Sequence, residues 1–337
     1  MVEERREARG SGGDRDDALA LDLGSAAGGP DVESLRTVLV ALAANALIAV
    51  AKSVAAVITT SASLTAEAAH SWADAGNQVF LYVANRRSAR PPDRAHPLGH
   101  GREAYVWSLF AALGLFVAGG AVSITHGISE LHDPTPLEYV GVGYAVLAVS
   151  FLLEAVSFLR AVGQARQAAR ALHRDLIEYV MATSDPTLRA VFAEDAAALI
   201  GLLLATAGLA AHQITGSAVP DAIGSILVGV LLVVVAVVLI NRNRRFLVGQ
   251  QAHPQVHTAV LRALLDLPEV ARVTSLRVEV VGPRMVSVVG HVDLAGDEVE
   301  SSAAIRLRAV EATISASPAV VGAVLSLSAP DEPTMTA

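Results

Sequence analysis

Cysteine is absent from the 337-residue chain. That excludes disulfides, cysteine zinc ligands and thiol chemistry, and it leaves the redox compartment open. Lysine is nearly absent as well: one of the 25 basic residues is lysine, Lys52, and the other 24 are arginine. Aromatic residues make up 4% and charged residues 17%, where a soluble domain carries about 25% charged. A net charge of −8 argues against a general nucleic-acid binder. Apolar residues fill the gap, at 53% of the chain, with a mean hydropathy of +0.49. So much apolar surface needs a solvent other than water, which makes this a membrane protein.

The first residues, MVEERREARG, carry charge where a secretory signal needs an apolar core, so no cleavable signal is expected. Residues 1–33 hold nine acidic and four basic groups with scattered glycine and read as a disordered cytoplasmic tail. Six segments then have the length for a hydrocarbon core, which takes about 20 helical residues. They lie near 36–58, 62–85, 104–128, 138–160, 187–212 and 219–241. The second and fifth are the least apolar, because they contain Glu67, His70, Asp74, Glu194 and Asp195. The connections at 86–102, 160–189 and 242–245 hold five, five and three arginines, and the opposite connections hold none. Positive residues stay on the cytoplasmic side, which puts both termini there. The expected organisation is therefore a tail (1–33), a six-helix transmembrane domain (34–245), a cytoplasmic domain (246–330) and a short tail (331–337). Periodicity in the cytoplasmic domain gives the order αββαβ, with helices at 254–266 and 298–316 and strands at 273–281, 285–294 and 319–328. This is an α+β arrangement with helices on one face of a small sheet.

The polar exceptions are where chemistry is expected. In AEAAHSWADAGNQ (66–78), Glu67, His70, Asp74 and Asn77 fall on one stripe of a helix. Ionisable groups in a membrane helix are expensive, and those present face a cavity and mark a substrate path. His70 and Asp74, at i and i+4, can reach one ion; the bland alternative is a polar contact between helices. The partner stretch is VFAEDAAALIG (191–201), and ahead of it Asp185-Pro186 supplies a cap and a first-turn proline. A rise of about 1.5 Å per residue puts Glu194 roughly 12 Å from the cytoplasmic end, the depth of Asp74 on an antiparallel helix. One imidazole with two or three carboxylates suits Zn²⁺, and also Mn²⁺ or Fe²⁺. Adjacent carboxylates point different ways on a helix, so only one of Glu194 and Asp195 faces the ion.

The stretch SASLTAEAAHSWADAGNQ followed by PPDRAHPLGHGREAY (91–105) resembles the cation diffusion facilitator family of divalent-metal transporters. The resemblance continues through residues 194–229, covers nearly all of the chain from residue 36, and is nearest to the branch containing the mitochondrial zinc transporters. It implies six helices, a cytoplasmic ferredoxin-like domain, homodimers and metal–proton exchange. It also implies a primary site joining an H/D-x-x-x-D on helix two to an H-x-x-x-D on helix five. His70 and Asp74 match the first half. The second half falls on Glu194 and Ala198, so Glu replaces His and Ala replaces the second Asp, leaving three ligands unless Asp195, Asn77 or water completes the set.

By the same resemblance, the loop DRAHPLGH (93–100) offers a cytoplasmic metal site at Asp93, His96 and His100, with a purely turn-shaping role as the alternative. His291 and Asp293, two apart on one strand face, match a further family metal position, but Thr274 stands where the family can place another His. His253 and His257 read as solvated. Lys52 either pairs with a carboxylate such as Glu67 or snorkels to the outer interface, and the reading leans to snorkelling. Glu154 is left open between a cavity and the cytoplasmic interface. The expected function is proton-coupled export of a divalent cation, zinc first, with manganese or iron by the same mechanism as the alternative. No prosthetic group is implied. The expected setting is a bacterial-type inner or cell membrane, as a homodimer. A membrane metal hydrolase would need a motif such as H-E-x-x-H, which is lacking; a non-transporting metal sensor is the remaining rival.

Overall fold

Apolar runs of more than 20 residues, bounded by Ser, Asp and Pro, become long helices in a computed structural model. The structure describes residues 35–336 except 173, 297 and 298, with side chains from residue 42 apart from that of Ala171; the expected tail at 1–33 lies outside these residues. Helix α1 (Leu35–Thr59) is followed by α2 (Ala62–Ser88) and α3 (Glu103–Gly114). A π-helical stretch (Leu115–Ala121) joins α3 to α4 (Val122–His132). Then come α5 (Val140–Ala171), a short α6 (Leu176–Ala182), α7 (Pro186–Thr215) and α8 (Val219–Val248).

Among the described residues, five stretches are long and apolar enough to cross a bilayer: Leu42–Thr59, Glu103–His132, Val140–Arg170, Pro186–Thr215 and Val219–Val248. The chain is thus a helical membrane protein. Outward-facing Leu47, Val57, Leu152, Leu159 and Leu203 give these helices the apolar exterior that lipid requires. Helix α2 is as long, at 27 residues, but Glu67, His70, Asp74 and Asn77 lower its hydropathy. It packs against α1, α3, α4, α7 and α8, which encloses its polar stripe.

The helix starts follow local chemistry. Ser61 caps α2, its hydroxyl accepting from Leu64 N–H at 3.2 Å. Asp185 caps α7, accepting from Thr187 and Leu188 N–H at 3.0 and 3.2 Å, with Pro186 in the first turn. Each cap satisfies donors that a helix otherwise leaves orphaned at its start.

Past Val248 the period changes from helix to strand. A small domain follows: β1 (Gln250–Gln251), α9 (Pro254–Leu265), β2 (Val270–Gly282), β3 (Met285–Leu294), α10 (Glu300–Ser315) and β4 (Val320–Leu327). The sheet order is β1-β2-β3-β4, with β2–β3 antiparallel and β3–β4 parallel. Alternation along β3 buries Val286, Val288 and Val292 against Val260, Leu264 and Ile314 of the helices. The core continues into the membrane half through Phe246, whose ring stacks on Tyr105 at 4.9 Å. Strand β4 is an edge, with Val324 63% and Leu327 54% exposed. Residues 332–335 run along β2, where Met335 N–H donates to Val273 O at 2.8 Å.

Candidate metal site

Helix α2 is held at its start by α8. Asp221, fully buried, accepts from Ser61 Oγ at 3.0 Å, from Ala62 N–H at 2.6 Å and from Ser63 Oγ. The start of α7 is held from the other side by the soluble domain. Arg284, in the β2–β3 turn, donates its N–H to Ser184 Oγ at 3.1 Å and sets its guanidinium 3.4 Å from Asp185. These anchors fix the two helices that carry the polar groups.

Facing each other inside the bundle, α2 and α7 bring together His70, Asp74, Asn77 and Glu194. His70 Nε2 lies 3.3 Å from Asp74 Oδ2, with His70 1% and Asp74 20% exposed. Asn77 donates its amide to Glu194 Oε2. Glu194 is buried within electrostatic reach of Asp74 and His70. Asp195, the next residue, turns to α5 and accepts from Ser157 Oγ at 2.8 Å. Ala198, one turn beyond Glu194, is buried and offers no ligand.

The chemistry of this set is its unmet acceptors. Asp74 Oδ1, Asn77 Oδ1 and Glu194 Oε1 are buried without a hydrogen-bond partner, as is Gln78 Oε1 next along α2, and His70 Nε2 has no contact beyond its 3.3 Å approach to Asp74. Buried polar atoms are normally satisfied, and a cluster rich in acceptors and poor in donors suits a cation. Among the described residues, the one group of three whose ligand atoms all lie within 4.8 Å of each other is Asp93, His96 and His100. The α2–α7 atoms therefore stand further apart than that.

Lys52 corrects the expectation of snorkelling. Its ammonium lies 3.0 Å from Glu67 Oε2, with the two side chains 1% and 0% exposed. The alternative pairing is the one observed, since α1 packs along α2 and leaves the ammonium no route to water. Glu154 is half-buried on α5, within electrostatic reach of Lys52, Asp74, Asp195 and His70.

In the 93–100 loop, Asp93 accepts from the backbone N–H of Ala95 and His96 at 2.8 and 2.7 Å. His100 Nε2 lies 3.1 Å and His96 Nδ1 3.3 Å from the same carboxylate, and the two rings stack at 4.1 Å. The His100 contact, then the His96 N–H, hold the Asp93 carboxyl well below the usual range. A cavity of about 270 Å³ adjoins the loop, lined among others by His96, His100, Glu103 and Val281. Gly101 permits the docking beside it: a Cβ there would come within 2.6 Å of Val281 O and 2.8 Å of Gly282 Cα. Arg102 and Glu279 form an ion pair across the same junction.

On β3, the structure gives His291 and Asp293 separate partners. Strand register sets Arg272 opposite Asp293, and its Nε donates to Oδ2 at 2.9 Å. His291 Nδ1 lies 3.9 Å from Glu332, which also accepts from Thr274 Oγ1 at 2.7 Å. The Asp293 carboxylate is thus paired with a guanidinium in this structure. His253 and His257 are likewise engaged: His253 caps α9 and accepts from Arg174 at 2.6 Å, and His257 Nε2 meets Leu276 O at 3.2 Å.

Sequence reasoning missed Asp221 and Gln78. Asp221 follows a proline at a helix start and reads as an ordinary first-turn carboxylate. Gln78 was hidden beside Asn77.

Residues 38–248 match the family described as "Cation efflux transmembrane domain". Metal tolerance protein C4 of Arabidopsis thaliana is 36% identical over 269 residues, covering 80% of this chain and 59% of that protein. The mitochondrial proton-coupled zinc antiporter SLC30A9 of Xenopus laevis is 35% identical over 267 residues, 79% of this chain and 48% of that protein. Its Homo sapiens counterpart is 33% identical over 267 residues, 79% of this chain and 47% of that protein. The chain spans about half the length of the curated relatives it matches.

Proposed function

The chain belongs to the cation diffusion facilitator family, in its mitochondrial-type zinc branch, and from that premise we propose that it exports a divalent cation, zinc first, in exchange for protons. The observation that carries this reading is the buried set of unpartnered acceptors shared by α2 and α7. His70, Asp74 and Glu194 are the ligands, and Asn77 orients Glu194 through its amide. Asp195, turned to Ser157, stands outside the set. Zinc, rather than manganese or iron, follows from the relatives named as zinc antiporters and from the tolerance of Zn²⁺ for mixed nitrogen and oxygen ligands.

Coupling follows from the ligands. Imidazole must be neutral and carboxylates ionised to hold the metal, so protons and metal compete for one set of atoms. Alternating access turns that competition into exchange: metal enters from one side and protons displace it on the other. A potential contributes about 2.3 kcal/mol per charge per 100 mV.

The rest of the architecture belongs to the same proposal. Helix α2 is the sixth span, its polar stripe shielded by five neighbours. The arginine-rich connections lie in the cytoplasm with both termini. The soluble domain is ferredoxin-like and pairs through exposed apolar surface such as that of β4 in a two-fold homodimer. Reconstituted protein tests the function directly. Zn²⁺ flux into vesicles is expected to rise with an opposing proton gradient and to exceed Mn²⁺ and Fe²⁺ flux; flux indifferent to the gradient contradicts the exchange.

A further inference from the structure

The buried pair beside the site has a chemistry that the ligand set does not use. Glu67 lies one helical turn from His70 on α2, about 4.5 Å nearer the Ala62 end. One of its oxygens, Oε2, is held by Lys52 at 3.0 Å. The other, Oε1, is buried and has no hydrogen-bond partner. It faces the α7 backbone at Gly201, where a Cβ would come within 2.5 Å of it. Gly201 is two turns beyond Glu194, toward the end of α7 that lies on the same side as the start of α2. A bare carboxylate oxygen therefore stands in the α2–α7 seam, just beyond the site on the side away from the Asp93 loop.

We propose that Glu67 Oε1 receives the divalent cation as it leaves His70, Asp74 and Glu194, and that the Lys52 ammonium is a tethered cation that holds Glu67 when the metal is absent. This rests on the transport reading above. The identity of the basic residue supports it. Every other basic residue in the chain is arginine. A guanidinium is a planar fork that takes both oxygens of a carboxylate, whereas an ammonium is a point charge that engages one and leaves the other free. Lysine is the residue that pairs with Glu67 and still leaves Oε1 open. A dication arriving at Oε1 repels the ammonium, and Glu154, half-buried on α5 within electrostatic reach of Lys52, offers it a second anchorage. Once the metal has gone, the ammonium returns to Glu67 and opposes re-entry by like charge.

The test uses the full chain in proteoliposomes with Zn²⁺ as the probe. In Lys52→Arg the ion pair is kept, so melting temperature and Zn²⁺ affinity stay near wild type, while flux falls by about tenfold or more because the fork covers Oε1. In Lys52→Met/Glu67→Gln the pair is replaced by neutral groups of similar volume, a change that buried pairs tolerate. This variant also folds, binds Zn²⁺ and loses about tenfold in flux. Folded variants with flux within about twofold of wild type overturn the proposal, because a pair with no part in transport tolerates both changes. Failure of both variants to fold overturns it too, since the pair is then a brace. A wild-type chain that moves no Zn²⁺ removes the transport reading and this proposal together; a transporting wild type with an unimpaired Lys52→Arg variant removes this proposal alone.

Discussion

Glu194→Gln and Asp195→Asn are neighbouring changes of the same chemistry, and the structure separates them. Glu194 is buried against α2, takes one hydrogen bond from Asn77 and has Oε1 unpartnered. Asp195 faces Ser157 on α5. Unit charges 4 Å apart interact by about 4 kcal/mol at an effective dielectric of 20. Removing the Glu194 charge loses at least this much attraction for a dication, offset in part because the amide no longer suffers the desolvation of a buried carboxylate. A net loss of about 3 kcal/mol corresponds to roughly 100-fold weaker Zn²⁺ binding. Asparagine at 195 keeps an oxygen for the Ser157 hydroxyl and removes a charge that points elsewhere, so binding should change by no more than about threefold, under 0.7 kcal/mol. Calorimetric titration of detergent-solubilised protein with Zn²⁺ measures both, with circular dichroism to confirm the fold. An equal or larger loss in Asp195→Asn refutes the assignment, because α7 would then present the next residue to α2.

Two further outcomes follow from anchors outside the ligand set. Asp221→Ala strips the acceptor from Ser61, Ala62 N–H and Ser63; at about 1–3 kcal/mol for each buried donor left unmet, thermal unfolding in detergent should show a loss of about 3 kcal/mol or more. A melting temperature unchanged from wild type contradicts the anchoring role. At the junction with the soluble domain, burial and then the Arg174 guanidinium lower the His253 pKa from its usual 6.5. The folded state resists this proton and the unfolded state takes it up near pH 6.5, so the stabilisation is full above that pH and is lost as pH falls through the lowered folded value. Protection from hydrogen exchange at the start of α9, taken relative to the intrinsic rate at each pH, should therefore fall on acidification below 6.5 in wild type, and this dependence should vanish in His253→Asn.

The helical framework was legible because membrane helices and their arginine flanks are written in local composition. Helix α2 was legible for the opposite reason, as its hydropathy is poor and its ligand spacing betrays it. The αββαβ part of the soluble domain was legible from alternation, whereas the two-residue β1 ahead of it is too short to show a period. Helix α6 was not, because seven residues of mixed polarity carry too little period to separate them from a loop. At the site, helical phase required Glu194 and Asp195 to face different ways and the family resemblance pointed to Glu194, but only the packing of α5 on α7 shows Asp195 turned to Ser157. The Lys52–Glu67 pair could be named but not chosen over snorkelling, because burial of Lys52 depends on how α1 sits on α2. The pairing of Asp293 with Arg272 was beyond reach for a similar reason: residues 21 positions apart in sequence, on adjacent strands, meet in a register that neither strand encodes alone.

Proton-driven Zn²⁺ flux through purified wild type and Asp74→Ala, compared in the same vesicles, tests the central claim most directly. Asp74 shares the α2 stripe with His70 and keeps Oδ1 buried and unpartnered. The account predicts that Asp74→Ala remains folded and carries less than about a tenth of the wild-type flux at any proton gradient. Wild-type flux from folded Asp74→Ala protein contradicts it.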